Sequence, residues 1–158
     1  MIRYVLAALL TVAILGLGWM ALEQTAADNS DRELQAAISD IEDAAVDLAA
    51  NEELSPTDHP DPQRVVEITI PPGDLTTEGV SHFEIDPVDE NASIARYVLD
   101  DGTTNEAVID ERIVYYEPTE NRTTELGGRG TERVTMVLLP DDSGDPVVVT
   151  EPNESVTA

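Results

Sequence analysis

The sequence predicts an α+β protein, in which an N-terminal transmembrane helix continues into an amphipathic helical stalk, followed by a small antiparallel β-sheet or sandwich of about six strands. Three observations support this fold class. Residues 4–22 carry no charge, residues 23–54 place apolar side chains at helical spacing, and residues 64–151 place them at alternate positions. A chain of 158 residues with these patterns has room for one modest domain beyond the helix.

Residues 4–22 form an apolar run that matches the thickness of a bilayer. These nineteen residues would span about 28 Å as a helix, and the hydrocarbon core of a bilayer is about 30 Å thick. Arg3 precedes the run and carboxylates follow it, so residues 1–3 are predicted to be cytoplasmic and the C-terminal part extracellular. Tyr4 and Trp19 are the predicted aromatic anchors at the two interfaces. The predicted localisation is therefore the cell membrane, with a single pass and the lipid bilayer as a partner.

A cleavable leader is the alternative interpretation of the same run. Thr25, Ala26 and Ala27 are small residues of the kind found at the end of a signal peptide, and Asp28 follows them. Cleavage near Ala27 would leave a secreted soluble β protein. A signal peptide has an apolar core of only about 7–15 residues, so the length of the run favours the permanent anchor.

Residues 23–54 are predicted to form the amphipathic stalk. An apolar seam with alternating spacings of four and three residues runs along it, made of Leu34, Ile38, Ile41, Ala45 and Leu48. This spacing is that of a heptad repeat and lasts for about two repeats. Two alternatives follow: the seam packs on a partner helix, or it packs on the β domain of the same chain.

Local signals indicate where the stalk begins and ends. Ser30 and Glu33 form an S-x-x-E capping box, which predicts that a helix begins or restarts at Ser30. Whether the helix is continuous through Asp28–Ser30 is left open by the sequence. Three prolines within residues 55–63 end the stalk and predict a Pro-rich linker.

Residues 64–151 carry strand-like runs joined by turn signals. The runs at residues 64–70 and 80–85 alternate apolar and polar side chains. Further runs flank Asp100–Gly102 and Asp141–Asp145, and each flanking pair is predicted to be a hairpin. No helical pattern separates the runs, so the strands are predicted to be antiparallel.

The composition indicates a chain adapted to high salt. Thirty-three carboxylates face eight basic residues, all of them Arg, and the formal net charge is −25. Molar salt reduces the Debye length to about 3 Å and screens such self-repulsion, and this style of composition is similar to that of haloarchaeal proteins. The absence of any basic stripe excludes nucleic acid as a partner, and the absence of Cys excludes disulfides and thiolate chemistry.

No catalytic, cofactor or metal site is predicted. His59 lies in the Pro-rich linker, and His82 has no companion at ligand spacing. The loop at residues 141–145 imitates the start of a calcium loop but has proline at the sixth position, and the Gly-rich stretch at residues 126–130 lacks the setting of a phosphate loop. The sequence therefore predicts a protein that is not an enzyme.

Three N-x-S/T sequons fall in the part predicted to be extracellular. Their acceptor residues are Asn91, Asn121 and Asn153, and each is a predicted glycosylation candidate. The last of them lies in residues 152–158, which are predicted to be a flexible tail.

An apolar N-terminal helix, an amphipathic continuation and a compact β domain together resemble archaeal type IV pilins and pseudopilins, and uncharacterised small haloarchaeal membrane proteins that accompany their assembly machinery. The resemblance implies a non-enzymatic accessory or structural component of a surface assembly. It also implies membrane or pilus-assembly proteins as partners, bound through the N-terminal helix and stalk. The alternative is a free-standing ligand-binding or sensor ectodomain.

Overall fold

The computed structural model describes residues 2–151 apart from 57, 75 and 128. For helix residues 2–8 and 16–24 it describes the backbone alone, so the predicted anchors Tyr4 and Trp19 fall outside the described side chains. The predicted tail and its sequon at Asn153 also lie outside the described residues.

One helix and eight strands make up the described fold. The helix is α1 (Ile2–Asn51), and the strands are β1 (Gln63–Ile70), β2 (Val80–Pro87), β3 (Ser93–Leu99), β4 (Thr104–Ile109), β5 (Ile113–Tyr115), β6 (Thr124–Glu125), β7 (Gly130–Pro140) and β8 (Pro146–Thr150). The strands form two four-stranded sheets, with the orders β1-β7-β8-β5 and β4-β3-β2-β6. The fold is α+β, as the sequence predicts.

The C-terminal half of α1 belongs to the core of the β sandwich. It packs mainly against β1 and also contacts β4, so it lies beside the edge strands of both sheets. All five seam residues are buried in one cluster with side chains from both sheets: Leu34, Ile38, Ile41, Ala45 and Leu48. Of the two alternatives for the seam, the structure has the one in which it packs on the β domain of the same chain. Residues 30–51 are therefore part of the domain rather than a separate stalk.

The prediction that a helix begins or restarts at Ser30 is wrong. Helix α1 is continuous through Asp28–Ser30. The Ser30 side chain is fully buried, and its Oγ lies 2.7 Å from the carbonyl oxygen of Glu78 and 3.1 Å from that of Ala26. Because α1 is continuous through Ser30, the backbone N–H groups that follow it bond to carbonyl oxygens of the preceding turn and do not need an N-cap.

The predicted transmembrane helix over residues 4–22 is also corrected. Across the part of the chain that the structure describes, no helix meets the combined requirement of length and apolarity for crossing a membrane. This finding overturns the transmembrane part of the predicted fold class and, with it, the predicted single-pass localisation in the cell membrane.

The β domain differs from the prediction in strand number and in direction. Eight strands replace about six, because the run at residues 107–116 is broken at Asp110–Arg112 into β4 and β5, and because β6 is a strand of only two residues. Strand β5 leaves the sheet of β4 and pairs in parallel with β8, while every other described pair is antiparallel. The buried Ser93 hydroxyl accepts the N–H of Ile113 at 2.9 Å, which satisfies that backbone group where β5 changes sheet.

Both predicted hairpins are confirmed. Strands β3 and β4 pair across Asp100–Gly102, and β7 and β8 pair across Asp141–Asp145. Gly102 and Gly144 have φ angles of 89° and 87°, a conformation that only glycine adopts without strain. In the second turn the Asp141 carboxylate accepts the backbone N–H groups of Ser143 and Asp145.

Candidate functional site

The exposed apolar part of α1 is the most unusual surface of the described chain. Five large apolar side chains are each between 60% and 68% exposed: Leu9, Leu10, Val12, Ile14 and Leu15. We call residues 9–15 the apolar segment. Single exposed apolar residues are normal on a protein surface, but a contiguous group of this kind marks an interaction site.

The side chains of the apolar segment point in all directions around the helix axis. At about 100° per residue, Leu9, Leu10 and Leu15 alone are separated by roughly 100° to 140° from one another. Val12 and Ile14 lie in two of the three intervals between them. An amphipathic helix shows one apolar face, whereas a helix that is apolar all round is one that other apolar groups surround.

The apolar segment stands away from the β sandwich. Ala26 is the first residue of α1 whose described side chain is buried. Ala26 lies eleven positions after Leu15, which corresponds to about 16 Å along the helix axis. Residues 9–15 are therefore available to a partner without any change in the sandwich.

The loop that carries residues 76–79, ahead of β2, fixes α1 at the point where it leaves the sandwich. The N–H of Glu78 donates to the carbonyl oxygen of Ala26 at 3.2 Å, and Asn29 Nδ2 donates to the carbonyl oxygen of Thr76 at 3.0 Å. Within the loop, Asp74 accepts hydrogen bonds from the backbone and side chain of Thr76, which lower its pKa to about 2. The loop is thus held both to the helix and within itself.

Two further contacts orient the buried part of α1. The Tyr97 hydroxyl donates to the Asp31 carboxylate, and burial together with this carboxylate raises the pKa of Tyr97. Near the C-terminal end of the helix, Arg64 on β1 donates to Asp47 at 3.0 Å and to Glu52 at 2.7 Å. A cation at the negative end of the helix dipole is also stabilising. These contacts therefore fix α1 to the sandwich on the C-terminal side of Ala26.

A polar cavity of about 650 Å³ lies at the opposite end of the sandwich. Its lining comes from the segments that follow β2, β4, β5 and β7 and from the start of β8, and we call it the distal cavity. The lining residues are Asp89, Glu90, Asn91, Arg112, Asn121, Asp141, Ser143, Asp145, Pro146 and Val147. Strand β1 runs away from this end towards the loop that holds α1, and β7 returns antiparallel to it. The distal cavity and the apolar segment are thus at opposite ends of the protein.

Arg112 is the only cation among the described residues that line the distal cavity. Its Nη2 donates to Asn121 Oδ1 at 2.7 Å, and among the described residues it has no carboxylate within 4.0 Å. Backbone N–H groups of Asp145 and Ser143 lower the pKa of Asp141, with a smaller contribution from the charge of Arg112. The cavity therefore combines fixed carboxylate acceptors with one partly buried cationic donor.

The residues considered for metal or phosphate chemistry are separated in the structure. His59 lies in an exposed turn, and its N–H donates to the carbonyl oxygen of Pro56 at 3.1 Å. His82 does have a neighbour, Glu84 at 2.9 Å, whose pKa it lowers. Among the described residues no three His, Cys, Asp or Glu side chains are arranged to hold a metal ion.

The Gly-rich stretch has a structural role in the described structure. From it, Arg129 donates to both carboxylate oxygens of Asp100, at 2.9 and 2.8 Å, and to the carbonyl oxygen of Pro72 at 3.1 Å. Gly79 lies so close to Asp100 that an added Cβ would come within 2.1 Å of the carboxylate. These contacts connect the turns at the helix end of the sandwich.

Two of the three sequon residues meet at one place. Asn91 and Asn121 both line the distal cavity, although thirty positions separate them in the sequence. No periodicity connects residues 89–91 with 112, 121 and 141–145, so the cavity itself was missed by sequence reasoning. The only signal that could have pointed to it was the shared sequon pattern.

These features define a class of protein: an α+β protein whose long helix combines a C-terminal part buried in the core with an exposed apolar segment at residues 9–15. The chain belongs to a family described as a domain of unknown function (DUF7311), whose model matches residues 1–153. No curated protein and no solved structure matches the chain.

Proposed function

We propose that this protein is a free-standing, non-enzymatic binding module whose binding element is the apolar segment of α1. The β sandwich holds this element in place through the C-terminal part of α1. The observation that carries the proposal is the all-round exposure of Leu9, Leu10, Val12, Ile14 and Leu15 on a helix whose C-terminal part is fixed in the core. Apolar surface of this kind is stabilised when a partner removes it from water, at about 25 cal/mol per Å².

The geometry favours a partner that supplies more than one apolar surface. A single groove covers one face of a helix, as in recognition of amphipathic helices. The apolar segment has no polar face that would remain outside such a groove. A partner with two or more apolar helices would surround it and exclude water from every side.

Charge favours a partner other than a second copy of the chain. Two copies would bring two net charges of −25 towards each other. At ordinary ionic strength this repulsion opposes self-association, because the Debye length is about 8–10 Å.

A second candidate function is that of a structural subunit of a surface assembly, as the resemblance to type IV pilins implies. The same all-round exposure favours it, since copies of the apolar segment could surround one another in a bundle of helices. Molar salt would screen the repulsion between the acidic domains and permit such a bundle.

One cross-linking experiment tests both candidates. A photo-reactive amino acid replaces Ile14 in the full chain, and a matched variant carries it at Val108, which is 62% exposed on β4. Both are irradiated in the cells that naturally make the protein, and adducts are identified by mass spectrometry. The binding module predicts adducts with one other protein at position 14 and not at 108. Adducts of the chain with itself at position 14 would support the assembly subunit instead. Equal labelling at both positions would contradict both candidates.

A further inference from the structure

We propose that Asn121 is an N-glycosylation site that remains usable in the folded protein, and that its first sugar residue occupies the distal cavity. This inference is independent of the proposed function, because it concerns the opposite end of the molecule from the apolar segment. It distinguishes the Asn121 sequon from the Asn91 sequon on structural grounds that the sequence does not contain.

The surroundings of Asn121 leave its reactive atom free. The residue is exposed and lies in the irregular segment between β5 and β6. Its Oδ1 is occupied by Arg112 Nη2 at 2.7 Å, whereas within the described part of the chain its Nδ2 makes no hydrogen bond. Attachment of a sugar uses Nδ2 and retains the carbonyl oxygen, so the contact with Arg112 can persist after modification.

Thr123, the third residue of the sequon, is also accessible to a transferase. Thr123 is half-buried, and its hydroxyl donates to Asp86 at 2.8 Å. Thr123 precedes β6 and is not part of a strand. A transferase could therefore bind this hydroxyl by displacing one side-chain hydrogen bond, without opening a sheet.

The sequon at Asn91 differs in the accessibility of its third residue. Its third residue, Ser93, is the first residue of β3 and is fully buried. The Ser93 hydroxyl accepts the N–H of Ile113 where β5 begins. An enzyme that must contact this hydroxyl would have to separate β3 from β5. We therefore expect Asn91 to be modified only in chains that have not yet folded.

The proposed glycosylation of Asn121 uses a sugar donor of a known chemical class. Asn121 Nδ2 forms a bond to the anomeric carbon of a sugar that is activated as a phosphate or diphosphate ester. The bond between that carbon and the ester oxygen breaks, the phosphate group leaves with the electron pair, and the amide loses one proton to a base of the transferase. No oxidant or reductant is needed.

The distal cavity suits a sugar at this position. Its volume of about 650 Å³ is within the range of about 300–1,000 Å³ found for small-molecule sites. Asp141, Asp145 and Asp89 offer carboxylate acceptors for sugar hydroxyl groups, and Arg112 offers donors. A neutral sugar also adds no charge to this acidic region.

The test treats the folded full chain with an N-x-S/T-specific oligosaccharyltransferase and a labelled lipid-linked oligosaccharide, and maps the product by peptide mass spectrometry. On the chain of 17.1 kDa we expect the Asn121 peptide to carry glycan and the Asn91 peptide to carry none. The label on the Asn121 peptide should be lost in Asn121→Gln and in Thr123→Val, restored in Thr123→Ser, and retained in Asn91→Gln. The same chain in denaturant should accept glycan at Asn91 as well.

Two results would overturn the inference. One is a folded wild-type chain that accepts no glycan while the denatured chain does; the other is equal modification of Asn91 and Asn121 in the folded chain. Melting curves of the unmodified variants establish that each is folded. The sugar's position is tested separately with the glycosylated protein, because a sugar in the cavity should protect the backbone N–H groups at Ser143 and Asp145 from hydrogen exchange several-fold.

Discussion

The Ser30 hydroxyl lies within hydrogen-bonding distance of two carbonyl oxygens, those of Ala26 and Glu78, which its sequence pattern does not indicate. This fully buried hydroxyl is the only described side-chain group that joins α1 to the carbonyl oxygen of Glu78. In Ser30→Ala that carbonyl loses its donor, which costs about 1–3 kcal/mol, while the helix propensity of alanine returns about 0.5 kcal/mol. We therefore expect a net loss of about 1–2 kcal/mol in the free energy of unfolding, measured by chemical denaturation.

Ser39→Ala is the matched control for Ser30, because Ser39 lies in the same helix and is exposed. It gains the same helix propensity without losing a buried contact, so its stability should stay unchanged or rise by a few tenths of a kcal/mol. Equal behaviour of the two variants would mean that the Ser30 hydroxyl does not hold α1 to the loop.

Glu111 is a carboxylate whose environment opposes its charge. Partial burial raises its pKa, and the hydrogen bond from the backbone N–H of Arg112 offsets this only in part. A raised pKa in the folded state means that the protein loses stability as the pH rises through that value. We expect Glu111→Gln to raise the melting temperature at pH 7 and to have no effect below about pH 4, where the carboxyl is protonated in both states.

The control for Glu111 must remove the same charge from a solvated position. Glu53→Gln does so, because Glu53 is exposed. Its effect at pH 7 measures the general relief of acidic repulsion, and Glu111→Gln should exceed it. If the two variants stabilise equally, burial of Glu111 has no consequence for stability.

At the scale of elements, periodicity predicted those parts of the fold that one chain segment specifies by itself. The heptad spacing of Leu34, Ile38 and Ile41 identified a buried helix face, and alternation identified β1 and β2. The turn signals at both hairpins were correct because a tight turn is a local property. Which surface covers the helix face is a property of two segments, and the sequence left it open.

The elements that were missed depend on contacts between distant segments. Strand β5 has only three residues and is specified by β8, which lies more than thirty positions away. Strand β6 is specified by two residues of β2. The capping-box pattern at Ser30 failed for the same reason, because the loop that carries Glu78 gives its hydroxyl a partner forty-eight positions away. The distal cavity, which combines four separate turns, could not be predicted from any single one of them.

The charge of the whole molecule decides how its stability responds to salt. Thirty-three carboxylates and eight Arg residues leave a net charge of −25. Within the part of the chain that the structure describes, five Arg side chains lie within 4.0 Å of a carboxylate: Arg64, Arg96, Arg122, Arg129 and Arg133. Exposed ion pairs of this kind contribute little each, so most of the acidic repulsion in the folded state is opposed by solvent and ions.

We expect the melting temperature at pH 7 to rise by about 5–10 °C between about 0.1 M and 2 M NaCl, which corresponds to about 2–3 kcal/mol for a chain of this size. Salt can also stabilise proteins by strengthening apolar burial, which does not require charge. Measurement at pH 4 separates the two causes, because the isoelectric point is about 4.1 and the net charge nearly vanishes there. A salt effect that shrinks at pH 4 identifies screening of the carboxylates. An equal effect at both pH values would assign it to the apolar core instead, and would remove the physical basis for interpreting the composition as an adaptation to salt.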